Sequence, residues 1–269
     1  MDLSLEDGAS DIINKAQRGL HLADSLLAEK SGITLEALHT LKAGTFSPKA
    51  IAAVAPVLGL HPDALQKIAD GQYVPGVAAP EGLIRFVTPY EDFTVNSYLA
   101  YDEQTREAIL FDTGADASEL LATLTRLDLT VRHLLLTHTH GDHILELDRV
   151  MEKTGAAAFG PALEPLEGVE PFAENASFSA GKISVSLRPT HGHSPGGTTF
   201  VIAGLPVPVA IVGDSLFAGS AGGAADVWQT ALQNNRTHIL SLPPETVLAP
   251  GHGPLTTVAL EKASNPFFA

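Results

Sequence analysis

The sequence predicts an α/β layered domain preceded by a small all-α module, and three observations carry that prediction. Residues 10 to 71 read as short helices punctuated by glycine and proline. Residues 72–82 hold two prolines and two glycines and read as a linker. From residue 83 onward, strand-like apolar runs arrive in groups with helices between them, the pattern of a layered α/β fold. We therefore divide the chain into a helical module (1–75), a linker (76–82) and an α/β domain (83–269).

In the module, Ser10 or Asp11 is placed to cap a first helix, and Leu22, Leu26 and Leu27 give the next its apolar face. Gly32 breaks the chain before a helix from Thr34 to Ala43. Ser47-Pro48 sets a capping hydroxyl and an N1 proline ahead of a helix to Leu58. Gly59 stops it, and His61-Pro62 opens a fifth helix ending near Gly71. In the domain, strands are expected at Leu83–Thr88, Val95–Tyr101, Ala108–Phe111 and Arg132–Thr137, with a helix at Ala117–Leu127. A helix from His143 to Thr154 follows, then strands around Ser177–Leu187, Thr198–Ile202 and Val207–Val212. Helices at Ala225–Leu240 and Thr256–Ala263 flank a short strand, Thr246–Ala249.

Composition narrows the function. Among 269 residues, 45% are hydrophobic and 17% charged, which supports a real core and excludes a disordered or fibrous chain. With no cysteine there is no disulfide, no thiolate ligand and no cysteine nucleophile. The net charge of -15 divides into -3 over residues 1–75 and -12 over the rest. That field repels nucleic acid and anionic membrane and suits a bound cation, so the expected partner is a small molecule. The acidic start MDLSLEDGAS lacks the pattern of a signal peptide. The uncharged stretch Gly196–Gly213 contains Pro206 and Pro208 and reads as two buried strands joined by a turn, not a membrane helix. A cytoplasmic location is the expectation.

The strongest chemical signal is Thr-His-Thr-His-Gly-Asp-His at 137–143, after the apolar run Leu134–Leu136 and before a helix. A strand ending in a tight loop delivers several side chains to one point at a sheet edge. His138 and His140 alternate and share a side, while Asp142 and His143 sit at the turn. Three imidazoles and a carboxylate form a nitrogen and oxygen donor set suited to zinc or iron. Three later loops repeat the placement after apolar strands: His191 and His193 in 188–196, Asp214 in 211–215, and His252 between Gly251 and Gly253. An aspartate directly after a buried strand is costly unless paired or coordinated.

In this order, the HxHxDH cluster, the Gly-His-Ser-Pro-Gly loop, the Gly-Asp-Ser-Leu-Phe segment and the Pro-Gly-His-Gly-Pro segment resemble the metallo-β-lactamase fold superfamily over about residues 83 to 269. The closing stretch from Leu242, with Asn265-Pro266-Phe267, looks most like the glyoxalase II-like branch. The resemblance implies an αββα sandwich and two divalent metal ions, zinc first, with iron or manganese as other choices. One ion would be held by His138, His140 and His193, the second by Asp142, His143 and His252, with Asp214 bridging them. Phe111-Asp112-Thr113-Gly114 resembles the family's first motif, whose aspartate braces the metal loop, a role that falls to Asp112. His191 is read as a neighbour of the site, His133 as structural and His238 as a surface or packing residue. The implied chemistry is a metal-bridged hydroxide attacking a thioester or lactone-type carbonyl, with Asp142 orienting the nucleophile or relaying a proton. Alternatives are a mononuclear iron persulfide dioxygenase and a DNA-binding regulator using the metal domain as a sensor. The loop Gly219–Asp226 has no arginine where related glutathione-dependent enzymes often carry one, which disfavours a glutathione conjugate.

Leu22–Leu58 also resembles a phage-repressor-type helix-turn-helix, with Thr34 to Lys42 as its recognition helix. That helix offers Thr34, Glu36, His39, Thr40 and Lys42 but no arginine. The module is therefore expected to act as a scaffold, a homo-oligomer contact or a substrate lid, not as a DNA reader.

Overall fold

The structure is a computed structural model that describes residues 4–173 and 175–269. Five helices come first: α1 (Ala9–Gly19), α2 (Asp24–Ser31), α3 (Leu35–Lys42), α4 (Pro48–Val57) and α5 (Pro62–Ala69). Ser47 caps α4 as expected, and the His61 side chain caps α5, each followed by proline at the first turn. The start of α1 differs. Its N-cap is Gly8, and Asp11 sits three residues inside the helix, where its carboxylate accepts from the Gly8 N–H.

Two six-stranded sheets follow. The first holds β1 (Leu83–Tyr90), β2 (Phe93–Tyr101), β3 (Glu107–Phe111), β4 (Thr130–Leu135), β5 (Ala157–Gly160) and β6 (Val169–Pro171) in that spatial order. Between its strands lie α6 (Ser118–Arg126), the single turn α7 (Gly141–Ile144) and α8 (Leu147–Thr154). The second sheet includes β7 (Ser177–Ala180), β8 (Ile183–Pro189), β9 (Thr198–Ala203) and β10 (Val209–Gly213). The short pair β11 (Leu216–Phe217) and β12 (Ser220–Ala221) stands apart. After α9 (Trp228–Asn234) come β13 (Val247–Pro250), β14 (Thr256–Thr257) and α10 (Val258–Ser264), giving the second sheet the order β14-β13-β10-β9-β8-β7.

Strand periodicity builds the layers. On β3, Ile109 and Phe111 face the second sheet, while Ala108 and Leu110 pack under α6 and α8. On β10, Val209 and Ile211 face the first sheet, while Ala210 and Val212 pack against Ile239, Leu240 and Val258. The result is helix, sheet, sheet, helix, as the resemblance implied. Gly196–Gly213 folds as the antiparallel pair β9–β10, and no helix among the described residues is long and apolar enough to cross a membrane.

Some expected elements are divided. The helix predicted over His143–Thr154 is two, α7 and α8, with the break at Leu145–Glu146. The helix expected over Ala225–Leu240 is a 3₁₀ turn (Ala225–Val227), then α9, then a wide π turn (Asn235–Ile239). Strands β5 and β6 were not anticipated, because Ala, Gly and Pro carry little strand signal. They stand because β4 offers β5 a parallel edge. The helices α1–α5 share one apolar core with Ala218, Ala221, Trp228, Leu232 and Phe267. Polar contacts reinforce that junction: Ser220 Oγ donates to Asp7 (2.6 Å) and Lys15 Nζ to the Ala221 carbonyl (3.1 Å).

Candidate metal centre

The topology aims five strand ends at one edge. β3 and β4 are parallel, and β10 is parallel to β13. β9 is antiparallel to both β8 and β10, so β8 runs with β10. Asp112 follows β3, the 137–143 loop follows β4, His193 follows β8, Asp214 follows β10 and His252 follows β13. All seven expected metal-binding side chains meet there, in two groups whose donor atoms lie within 4.8 Å of one another.

The first group is His138, His140, His193 and Asp214. His140 Nδ1 lies 3.1 Å from His138 Nε2 and 3.0 Å from His193 Nε2. Ligand nitrogens on a tetrahedral zinc, at about 2.0–2.1 Å each, stand about 3.3 Å apart, so these spacings suit one ion. The second group is Asp142, His143 and His252. His252 Nε2 is 3.3 Å from Asp142 Oδ2, and His143 Nε2 is 3.6 Å from it. Asp214 touches both groups: Oδ2 is 3.4 Å from His193 Nε2 and 3.2 Å from His252 Nε2, and Oδ1 is 3.3 Å from His143 Nε2.

Neighbouring acceptors set the imidazole tautomers. A carboxylate or carbonyl oxygen can only accept, so an Nδ1 that faces one carries a proton, and Nε2 is the nitrogen presented to a cation. His143 Nδ1 donates to Asp112 Oδ2 (2.9 Å), His252 Nδ1 to the Thr94 carbonyl (2.7 Å) and His193 Nδ1 to the Gly223 carbonyl (3.2 Å). Asp112 also accepts from the Thr137 amide and hydroxyl, each at 2.8 Å. With its proton given to Asp112, the Thr137 hydroxyl accepts from His138 Nδ1 (3.0 Å). One buried carboxylate thus orients a histidine in each group.

The residues fit a cation on their own terms. His143 Nε2 and Asp214 Oδ1 are buried without a hydrogen-bond partner, which is costly unless something else satisfies them. A methyl at Gly251 would fall 2.1 Å from Asp214 Oδ1 and 2.6 Å from His143 Cε1, so glycine there leaves the donors their space. Burial opposes ionisation of Asp214, yet the His143 and His252 imidazoles hold its carboxyl well below the usual range. Burial also acts downward on His143, but Asp214 and Asp112 outweigh it and push it up to about 10. His252 is driven to about 11 against its own burial, by Asp214 and then Asp142. His138 and His193 are lowered, chiefly by burial, and stay neutral. A divalent ion would replace the protons that the carboxylates otherwise draw onto His143 and His252.

His191 is exposed and belongs to neither donor group, as expected of a neighbour. His133 packs edge-on between Phe159 and Phe178, and His238 lies in the π turn, both away from the donors. Sequence reasoning missed Thr137, the backbone acceptors at Thr94 and Gly223, and Glu164, which reaches the metal loops from the 161–168 segment. A hydroxyl directly before His138 was a usable signal for Thr137. No local pattern marks Glu164.

The comparisons with known proteins agree with this architecture. GloC of Haemophilus influenzae, a hydroxyacylglutathione hydrolase, is 28% identical over 206 residues, covering 67% of this chain and 96% of the relative. Among solved structures, the BLEG-1 B3 metallo-beta-lactamase is 30% identical with a TM-score of 0.58, covering 68% of this chain and 99% of that one. The di-iron-bound form of TTHA1623 is 28% identical with a TM-score of 0.53, over 68% and 99%. The profile of the metallo-beta-lactamase superfamily matches residues 90–252, the segment that supplies every donor described above, and the chain belongs to that superfamily.

Proposed function

We propose that the chain is a dinuclear metal-dependent hydrolase acting on a thioester or lactone-type carbonyl. The observation that carries this reading is Asp214, whose Oδ2 lies 3.4 Å from His193 Nε2 and 3.2 Å from His252 Nε2, so that a single carboxylate serves both donor groups. A pair of divalent ions there supplies an acidified water and a Lewis acid for a carbonyl oxygen. His138, His140 and His193 would hold one ion, and Asp142, His143 and His252 the other. Asp142, 3.3 Å from His252 Nε2, has a second oxygen with which to orient a water or pass a proton to the leaving group. Asp112 fixes the ring planes of His143 and, through Thr137, of His138. Nitrogen and oxygen donors without a thiolate suit zinc, with iron as the second choice, and the di-iron relative supports two ions.

The name of GloC supports a thioester carbonyl. The cations of this chain point to an uncharged carrier. Lys15 Nζ is paired with Asp7 and donates to the Ala221 carbonyl, and Arg188 donates to the His238 carbonyl and Ser241. The preferred substrate is therefore a neutral acyl thioester or lactone. The test is metal content by mass spectrometry together with a panel of S-lactoylglutathione, a neutral thioester, a lactone and a persulfide. We expect close to two ions per chain and the fastest turnover on the neutral thioester or lactone. Absence of any transition metal sinks the reading. One iron with oxygen consumed on persulfide replaces it with the dioxygenase, and preference for S-lactoylglutathione refutes the neutral carrier.

A further inference from the structure

We infer that Glu164 is a positioning residue that holds the three-histidine half of the centre together. This inference rests on the dinuclear reading above and adds a residue from outside the metal loops. His138, His140 and His193 come from two separate loops, after β4 and after β8, and no covalent feature fixes the distance between those loops. Glu164, on the segment joining β5 to β6, accepts from both. Its Oε2 takes the Thr139 amide at 2.8 Å and the Thr139 hydroxyl at 2.9 Å, and its Oε1 takes the Gly196 amide at 2.5 Å.

The positions of these donors give the carboxylate its effect. Thr139 stands between His138 and His140, and Gly196 lies three residues beyond His193. Thr198 N also donates to the Thr137 carbonyl (2.9 Å), which joins the two loops at their strand ends. Glu164 joins them at the residues that flank the histidines. The site is built for this contact: a methyl at Gly196 would come within 2.3 Å of Pro161 and 3.0 Å of Glu164 Oε1, so glycine lets the backbone reach the carboxylate. Hydrogen bonds from neutral donors to an ionised acceptor are about twice as strong as neutral pairs. Burial works against the charge on Glu164, yet the Ser194 side chain, then the Gly196 and Thr139 donors, hold its carboxyl below the usual range, so it is ionised at neutral pH. By contrast, Asp142 and His143 lie together on α7, and His252 is held by the Thr94 carbonyl, with no contact to Glu164.

Loss of Glu164 should therefore weaken one half of the centre and spare the other. The test compares wild type with Glu164→Ala and Glu164→Gln, each loaded with zinc. Mass spectrometry gives total metal, anomalous scattering gives the occupancy of each half, and thermal melts of the metal-free proteins report folding. For Glu164→Ala we expect zinc at His138, His140 and His193 to bind at least tenfold more weakly, with Asp142, His143 and His252 unchanged. The metal-free melting temperature should move by only a few degrees. Glu164→Gln keeps one acceptor oxygen and should recover part of the affinity. Equal weakening of both halves, or full occupancy of both, overturns the assignment. If Glu164→Ala does not fold, Thr139→Val removes one donor at constant shape and should show the same selectivity to a smaller degree, with parallel or absent loss again refuting it. Wild type lacking two ions would instead count against the dinuclear reading itself.

Discussion

At the scale of single residues, Asp112 concentrates the most organisation in the fewest atoms. Its backbone takes φ of 56°, a conformation costing a non-glycine residue on the order of 1–3 kcal/mol. Three donors to its buried carboxylate offset that cost: the Thr137 amide, the Thr137 hydroxyl and His143 Nδ1. Asp112→Asn keeps the shape but turns one acceptor into a donor, which collides with whichever of those groups it faces. We expect metal affinity to fall about 10–100-fold in that variant, measured by competition with a chelator. Asp214→Ala is a harsher change, because both donor groups lose a shared oxygen. Total metal by mass spectrometry should drop from about two ions to one or fewer, with turnover lost in parallel. Retention of two ions would show that Asp214 does not bridge. The ligands were legible in the sequence because they stand in short, glycine-bearing loops close to the ends of strands. Glu164 was not, since it reaches its partners only through the placement of β5 and β6, which Ala, Gly and Pro gave no reason to expect.

At the scale of elements, most of the two sheets could be read from periodicity. β1 to β4 and β7 to β10 lie within a few residues of the apolar runs that announced them. The failures have local causes. The 137–154 segment spends its first turn on presenting Asp142 and His143, so the helix restarts at Leu147 once that geometry is complete. The C-terminal helix α10 carries a second unannounced feature, the fully buried Glu261. It accepts from the Tyr73 hydroxyl, the Thr256 hydroxyl (2.6 Å), the Gly219 amide (3.0 Å) and Asn265 Nδ2 (2.7 Å). Those donors join α10 to the segment after α5 and to the β11–β12 loop. Glu261→Ala leaves several buried donors without an acceptor, which should cost about 3 kcal/mol or more in urea denaturation. Burial raises the Glu261 carboxyl above its ordinary value despite the donors. A carboxyl with a raised folded pKa binds its proton more tightly in the native state. Its contribution is full below the unfolded pKa of about 4.3 and is lost as pH rises through the folded value. The stability of wild type relative to Glu261→Gln should therefore decline with rising pH across that window. A difference that is flat or grows with pH refutes burial as the dominant effect.

At the scale of the whole molecule, charge and packing argue for one body with a quiet helical end. The cation of the expected recognition helix is already taken, because Lys42 Nζ lies 2.8 Å from Asp24 and His39 Nε2 3.1 Å from the same carboxylate. With a net of -3 over residues 1–75, the module has few charges to displace counterions from a duplex. No sequence-specific footprint on DNA is expected at physiological salt. A footprint lost on mutating Thr40 and Lys42 would overturn that. The helices have a different partner, the sandwich itself. Their core runs without a break into Ala218, Ala221, Leu232 and Phe267, and the single tryptophan, Trp228, is buried in it with its ring 5.2 Å from Phe267. Trp228 is therefore a built-in reporter of this junction. If the helices and the sandwich unfold together, the change in Trp228 fluorescence and the loss of far-ultraviolet circular dichroism should follow one urea curve with one midpoint. Trp228→Phe removes the reporter and shortens the side chain inside that shared core, so its circular dichroism curve should shift as a whole to lower urea, as any large-to-small change in a continuous core does. Two separated transitions, with fluorescence moving first, would instead mean that the helical end releases from the sandwich before either part unfolds.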